Sequence, residues 1–167
     1  MRHIAQNAIT FMLALALAGS AVAQGAEEPG LSLTVVVTAN GKQLFDSWDR
    51  PSAKPFSVEP VGVASRRQFL SAVVLFKGCK PDTAGNCNVS MDITAYAPDG
   101  SKYGVMPNAE LWQSKPVPSQ GFTQLARDYM GIVIEPNDPS GRYRVAVVAR
   151  DRIANTTVSG EATFSIK

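Results

Sequence analysis

The sequence predicts an all-β protein, a single antiparallel sandwich of two sheets with about seven strands. Several apolar segments alternate with a period of two residues, and turn-forming residues separate them at short intervals. Beyond the N-terminal segment, no ten-residue stretch keeps the apolar stripe of an amphipathic helix. Hydrophobic residues make up 45% of the 167 residues and charged residues 18%, a balance that supplies one buried core.

The N-terminal segment has the pattern of a cleavable secretory signal peptide. A basic start precedes an apolar run over residues 8–18, and residues 21–23 form a small-residue cleavage site. The run is shorter than the about 20 apolar residues that a transmembrane helix needs. We therefore predict a signal peptide over residues 1–23, a flexible leader over residues 24–30 and one β-sandwich domain over residues 31–167.

This assignment predicts a periplasmic or secreted protein whose mature chain has no transmembrane segment. Loss of the signal peptide removes His3, the sole histidine of the chain. A chain without histidine lacks the Ser-His-Asp and Cys-His catalytic systems and the histidine-rich zinc and copper sites. Phosphate-binding glycine loops, dinucleotide fingerprints and Gly-x-Ser-x-Gly motifs are absent from the sequence as well. We therefore predict no enzymatic activity, no cofactor and no metal.

With a formal net charge of +2, the chain lacks the strongly basic character of proteins that bind nucleic acids by releasing their counterions. We expect no nucleic-acid partner. Basic residues near the C-terminus could form a strip for an acidic partner or a phospholipid surface. The favoured interpretation is a solvated strand edge that discourages aggregation. The strip consists of Arg142, Arg144, Arg150 and Arg152, with Arg127 nearby in sequence.

The two cysteines, Cys79 and Cys87, bracket a turn-rich loop between two strand-like segments. An even number of cysteines in an exported chain predicts a disulfide. In the chain-entropy model, closing a loop of this length contributes roughly 2.6 kcal/mol. The spacing differs from the Cys-x-x-Cys of thiol oxidoreductases, so the bridge is predicted to be structural.

Six segments carry the strand pattern, with apolar residues alternating on one face. The segment over residues 69–76 is nearly all apolar, which predicts a central strand with both faces covered. The remaining segments are residues 31–38, 89–97, 130–134, 142–150 and 158–166.

Three further predictions concern the connections. Asn40 and Gly41 form a hairpin turn signal, so residues 42–45 are predicted to return as a short strand. Residues 102–106 are predicted to pair back in a second hairpin. Residues 107–124 contain three prolines and no sustained period, which predicts a long connection carrying Trp112.

The C-terminal part resembles a known class of proteins. Residues 138–145, with a Gly-x-Tyr-x-Val segment, run into residues 147–151 and a terminal strand. This pattern resembles the closing hairpin of bacterial immunoglobulin-like and macroglobulin-type domains. Together with the loop over residues 76–87 and the turn at 98–100, it resembles small exported bacterial proteins of unassigned role. The resemblance implies an immunoglobulin-like β-sandwich and no particular activity.

Three aromatic residues are candidates for ligand or partner binding. Trp48 and Trp112 lie outside the clearest predicted strands, and an indole on a loop offers a large contact area. Tyr103 is a further stacking candidate. The alternative, which we favour, is that the indoles fold back over an exposed sheet face and cover it.

Three functional hypotheses follow. The first is an exported immunoglobulin-like domain that binds another envelope or secreted protein through a sheet edge or the Trp112 connection. The second is a module for a sugar or another small ligand that uses these loop aromatics. The third is an envelope hydrolase with Asp46 and Asp49 as paired carboxylates, although most such local pairs are turn residues.

Overall fold

The computed structural model describes residues 30–48 and 57–167, which form nine strands and one short helix. The all-β class is confirmed, with more strands than the seven expected, two of them only two residues long. The elements are β1 (Ser32–Thr38), α1 (Gly41–Trp48), β2 (Val63–Ala64), β3 (Phe69–Lys77), β4 (Asn86–Tyr96), β5 (Lys102–Pro116), β6 (Gln124–Leu125), β7 (Met130–Val133), β8 (Gly141–Asp151) and β9 (Thr156–Ile166). The predicted signal peptide and all but the last residue of the predicted leader lie outside the described residues.

The strands form two sheets that pack face to face as a sandwich. In the first sheet, β1 pairs with β3, and β3 pairs on its other side with β6 and β7 at successive positions. The second sheet has the order β2-β9-β8-β4-β5. The pairing is antiparallel throughout the described strands apart from the short parallel contact of β2 with β9. Within the described residues, β5 is therefore an edge strand.

The core lies between the sheets and is built from alternate residues of each strand. The predicted faces are confirmed, because side chains two positions apart are buried together in the core. Most of their neighbours face outward, except in β3, where Ser71 and Val73 are buried as well. The largest contributions come from β3 (Leu70, Ala72, Val74, Phe76), β4 (Val89, Met91, Ile93, Ala95) and β8 (Tyr143, Val145, Val147, Ala149).

The outer face of the first sheet is covered by α1, and the prediction of a return strand over residues 42–45 is wrong. Leu44 N donates to Asn40 O (3.0 Å), so the turn continues as a helix. Leu44 and Trp48 lie one turn apart on the same side and pack with Val73 of β3. Burial of the apolar side of α1 decides the conformation. With α1 on the outer face and the core on the inner face, both faces of β3 are covered, as predicted.

The long connection predicted over residues 107–124 is also wrong, because β5 continues to Pro116. An edge strand tolerates proline, since its outward side needs no backbone donor. Shifts in register against β4 show bulges along the strand, and Asn108 and Ser114 adopt positive φ angles of 51° and 52°. Trp112 therefore lies on a strand and Trp48 on a helix, so neither is the loop aromatic that we expected.

The predicted disulfide is confirmed. Cys79 and Cys87 form a bridge with an S–S distance of 2.08 Å and a Cα–Cα distance of 6.0 Å. The bridge closes the loop between β3 and β4. Asp151 fastens that loop to the end of β8, because its carboxylate accepts a hydrogen bond from Lys80 N (2.8 Å).

Candidate ligand-binding site

Trp48 and Trp112 line one concave site, which we call the tryptophan pocket. It has a volume of about 220 Å³ and lies where α1, β5 and the β6 segment meet. Leu125 and Ala126, both buried, belong to its lining. The other side chains of the tryptophan pocket are Phe45, Trp48, Trp112, Lys115, Gln124 and Arg127.

Trp48 reaches the pocket because it ends α1. Its partly buried ring packs with the apolar cluster of Leu44, Val73 and Leu125 on the outer face of the first sheet. Phe45 lies on the same helix and stacks on Tyr129, with ring centroids 4.7 Å apart. The helix that the sequence did not predict therefore supplies two of the three aromatic rings of the pocket.

Trp112 is positioned by β5 and packs on the edge of the core. Its ring lies 5.5 Å from that of Phe76 in a tilted arrangement, and Nε1 donates to Pro116 O (2.9 Å). Lys115 Nζ lies 4.7 Å from the centroid of the indole, a cation–π contact. These contacts hold the indole in one orientation while it remains partly exposed.

The pocket contains two cationic side chains, and among the described residues only one of them is paired with a carboxylate. Lys115 Nζ lies 2.7 Å from Glu110 Oε1, so that its charge is compensated. Arg127 is exposed, and its guanidinium has no ion-pair or hydrogen-bond partner among the described residues. Its backbone N donates to Leu111 O (3.1 Å), which places Arg127 beside the strand of Trp112.

Tyr103, the third aromatic candidate, lies elsewhere. It lines a separate cleft of about 420 Å³ between the edge strands β5 and β7 of opposite sheets. Its hydroxyl lies within hydrogen-bond distance of Val133 O (2.6 Å) and Asp138 Oδ2 (2.5 Å), and its ring meets Tyr143 edge-on. Burial and the neighbouring carboxylate raise the pKa of Tyr103 to about 12. Tyr103 links the two sheets at this edge.

Of the two candidate carboxylates, only Asp46 lies in the part of the chain that the structure describes. Asp46 lies on the exposed side of α1, where its Oδ2 is 2.6 Å from Lys42 Nζ in an ordinary helical pair. Asp49 lies outside the described residues. In the described part of the chain, no group of three potential ligands is placed to hold a metal ion. No helix described here is long and apolar enough to cross a membrane.

The arginines of the predicted basic strip do not share one set of contacts. Arg144 Nη1 lies 3.3 Å from Glu161 Oε2 and its guanidinium lies over Tyr96, and Arg150 Nη2 lies 2.8 Å from Asp92 Oδ2. These pairs compensate the charge on the outer face of the second sheet. Arg127 lies apart from them, in the tryptophan pocket.

Sequence reasoning named both tryptophans but missed the polar members of the pocket. Lys115 follows Trp112 by three positions, a proximity that was visible in the sequence. Gln124 and Arg127 had no such signal. They reach the pocket because Ala126 N donates to Val74 O (2.8 Å), which fastens this segment to the first sheet, while Arg127 N bonds to the second.

Comparison with known proteins adds only a loose likeness of fold. Neither a protein-family model nor a curated protein matches the chain. A family 123 glycoside hydrolase from Clostridium perfringens is 9% identical to this chain, with a TM-score of 0.42. The match covers 81% of this chain and 27% of the hydrolase chain. A Niemann-Pick type C2 protein from the Japanese carpenter ant is 12% identical, with a TM-score of 0.40. That match covers 86% of this chain and 96% of the ant protein. The chain thus spans about a quarter of the hydrolase, and neither likeness bears on function.

Proposed function

We propose that this protein is an exported, non-enzymatic binding module that holds a sugar or a similar small ring-shaped ligand in the tryptophan pocket. The observation that supports the proposal is the convergence of Trp48 and Trp112, from a helix and a distant strand, on one concave site. The disulfide suits the oxidising compartment that export implies.

The chemistry of the pocket suits a ring that is apolar on its faces and polar at its edge. Aromatic rings have a negative face, which attracts the weakly positive C–H groups on the face of a sugar ring. Gln124 adds hydrogen-bond donors to the pocket lining for hydroxyl groups. Since drug-sized ligands occupy pockets of about 300 Å³ or more, a volume of about 220 Å³ favours one ring over a long chain.

The two tryptophans provide the test, because they are the only ones in the chain and both line the pocket. Intrinsic tryptophan fluorescence therefore reports on this site alone. We expect saturable changes on titration with one or more members of a panel of monosaccharides and disaccharides. Fluorescence that stays constant across the panel, together with unchanged amide NMR signals, would contradict the proposal.

Substitutions distinguish the loss of aromatic stacking on the sugar from a general effect of replacing an aromatic residue. Trp48→Leu is expected to weaken sugar binding roughly tenfold, the equivalent of a lost aromatic contact of about 1–1.5 kcal/mol. Phe69→Leu is the matched control, because Phe69 is an exposed aromatic residue outside the pocket. It is expected to leave binding unchanged. Calorimetry measures both variants, and thermal unfolding verifies that each is folded.

A second candidate function is protein binding through the edge of β5 that pairs with no other strand among the described residues. Val105 on this edge is 52% exposed and lies beside the cleft between β5 and β7. An edge strand with an exposed apolar side chain can accept an additional strand from a partner. Crosslinking in an envelope extract, with Val105→Lys as the disrupting variant, tests this candidate without affecting the tryptophan pocket.

A further inference from the structure

We infer that the ligand of the tryptophan pocket carries an acidic group and that Arg127 is the residue that selects it. The inference rests on the proposed function and extends it from sugars in general to acidic sugars. Among the described residues, the ion pairs around the pocket leave the guanidinium of Arg127 without a carboxylate partner.

The charged side chains around the tryptophan pocket have different partners. Lys115 is paired with Glu110 at 2.7 Å and lies over the Trp112 ring, so the charges of this pair cancel at the pocket wall. The carboxylate of Asp128 is directed toward β5, because its Oδ2 accepts a hydrogen bond from Glu110 N (2.6 Å), and it forms no ion pair with Arg127 among the described residues. Among the described residues, the guanidinium of Arg127 has no such partner.

The backbone around Arg127 is held in place by hydrogen bonds to both sheets. Ala126 N donates to Val74 O of the first sheet, and Arg127 N donates to Leu111 O of the second. Asp128 N donates to Glu110 O (3.0 Å) and continues the seam. Because the backbone is fixed on both sides, the side chain starts from a rigid base beside the indole of Trp112.

A guanidinium presents parallel N–H donors that match the oxygens of a carboxylate or a phosphate. A sugar ring stacked on the indoles would bring an acidic substituent at its edge toward this fork. Uronic acids and sugar phosphates share this chemistry, whereas a neutral sugar leaves the guanidinium in water.

The test compares glucose with glucuronate and with glucose phosphate, using tryptophan fluorescence and calorimetry on the exported chain with its disulfide intact. We expect an acidic sugar to bind roughly tenfold more tightly than glucose at low salt. The preference should decrease as salt is raised, because Arg127 is exposed. The acid that binds more tightly identifies the acidic group.

Variants assign the preference to one residue. Arg127→Gln is expected to abolish the preference for acidic sugars while glucose binding persists. Arg142→Gln is the matched control, since Arg142 lies on β8, outside the pocket. It should retain the full preference. Thermal unfolding is expected to be the same for both variants.

The outcomes separate the inference from the proposed function. Equal binding of glucose and both acidic sugars, or an unchanged preference in Arg127→Gln, overturns the role of Arg127 and leaves the sugar pocket intact. Absence of binding for all three sugars and for the wider panel overturns both. Weaker binding of every sugar in Trp48→Leu, by roughly tenfold, together with loss of only the acid preference in Arg127→Gln, supports both.

Discussion

Gly41 lies directly against Ser71, so that a β-carbon on Gly41 would be 2.2 Å from Ser71 Oγ and 2.3 Å from Ser71 Cβ. The first residue of α1 thus packs on β3 with no space for a side chain. This close approach seats the helix on the first sheet and brings Trp48, at its other end, to the tryptophan pocket.

Gly41→Ala is expected to lower the free energy of unfolding by about 1–3 kcal/mol, the usual cost of overpacking. The clash involves Ser71 Cβ, which cannot rotate away, so the helix must shift instead. Urea unfolding measures the loss. Gly62→Ala is the control, because a β-carbon on Gly62 would have no atom within 4 Å. Similar stabilities for the two variants would refute the packing argument.

Ser71→Ala is expected to raise the free energy of unfolding by about 1 kcal/mol. Ser71 Oγ is fully buried and has no hydrogen-bond partner among the described residues, so removing the hydroxyl ends a desolvation cost. Ser90 is a buried serine whose Oγ lies 3.4 Å from Arg152 Nη2. Ser90→Ala should show no such gain, and a gain of equal size there would argue against this explanation.

The strand faces were predictable because a single physical rule determines them. In β8, Tyr143 and Val145 point to the core while Arg142 and Arg144 point outward, as the alternation in the sequence indicated. The disulfide was predictable for a similar reason, since the two cysteines of a chain that the sequence predicts to be exported have one possible pairing.

The helix and the long edge strand depended on contacts that are distant in sequence. Residues 42–45 follow a hairpin signal, and only burial against Val73 and Leu125 makes α1 the stable alternative. Proline at position 107 indicated a break, but the outer edge of β5 requires no donor there. The position of Arg127 depends on a short segment that forms hydrogen bonds to both sheets, and no local sequence pattern predicts this crossing.

Asp151→Ala is expected to destabilise the fold by about 3 kcal/mol. Its buried carboxylate, 2% exposed, accepts hydrogen bonds from the backbone N atoms of Lys80, Ile153 and Ala154 at 2.8, 3.0 and 3.0 Å. Removal leaves three donors without a partner, at about 1 kcal/mol or more for each. Chemical unfolding with the disulfide oxidised provides the measurement.

Two controls sharpen that test. Asp151→Asn keeps one carbonyl oxygen for Ile153 and Ala154 but turns an amide toward Lys80 N, so a smaller loss is expected. Asp82→Ala removes an exposed carboxylate that accepts from Ala84 N and Asn86 N in the same loop. Its loss should be the smallest of the three, because water replaces the bonds. Any other order would contradict the role of burial.

Tyr103→Phe is expected to lower stability by about 1 kcal/mol at neutral pH and to change its alkaline dependence. Burial, and then the bond to Asp138, raise the pKa of Tyr103 from 10.0 to about 12, so folding favours the neutral phenol. This stabilisation is complete below pH 10.0 and is lost as the pH rises through about 12. Phenylalanine keeps the edge-on contact with Tyr143 and removes the titrating group. Denaturant unfolding over this range should therefore show a shallower decline for the variant, whereas parallel curves would show that the hydroxyl does not link the sheets.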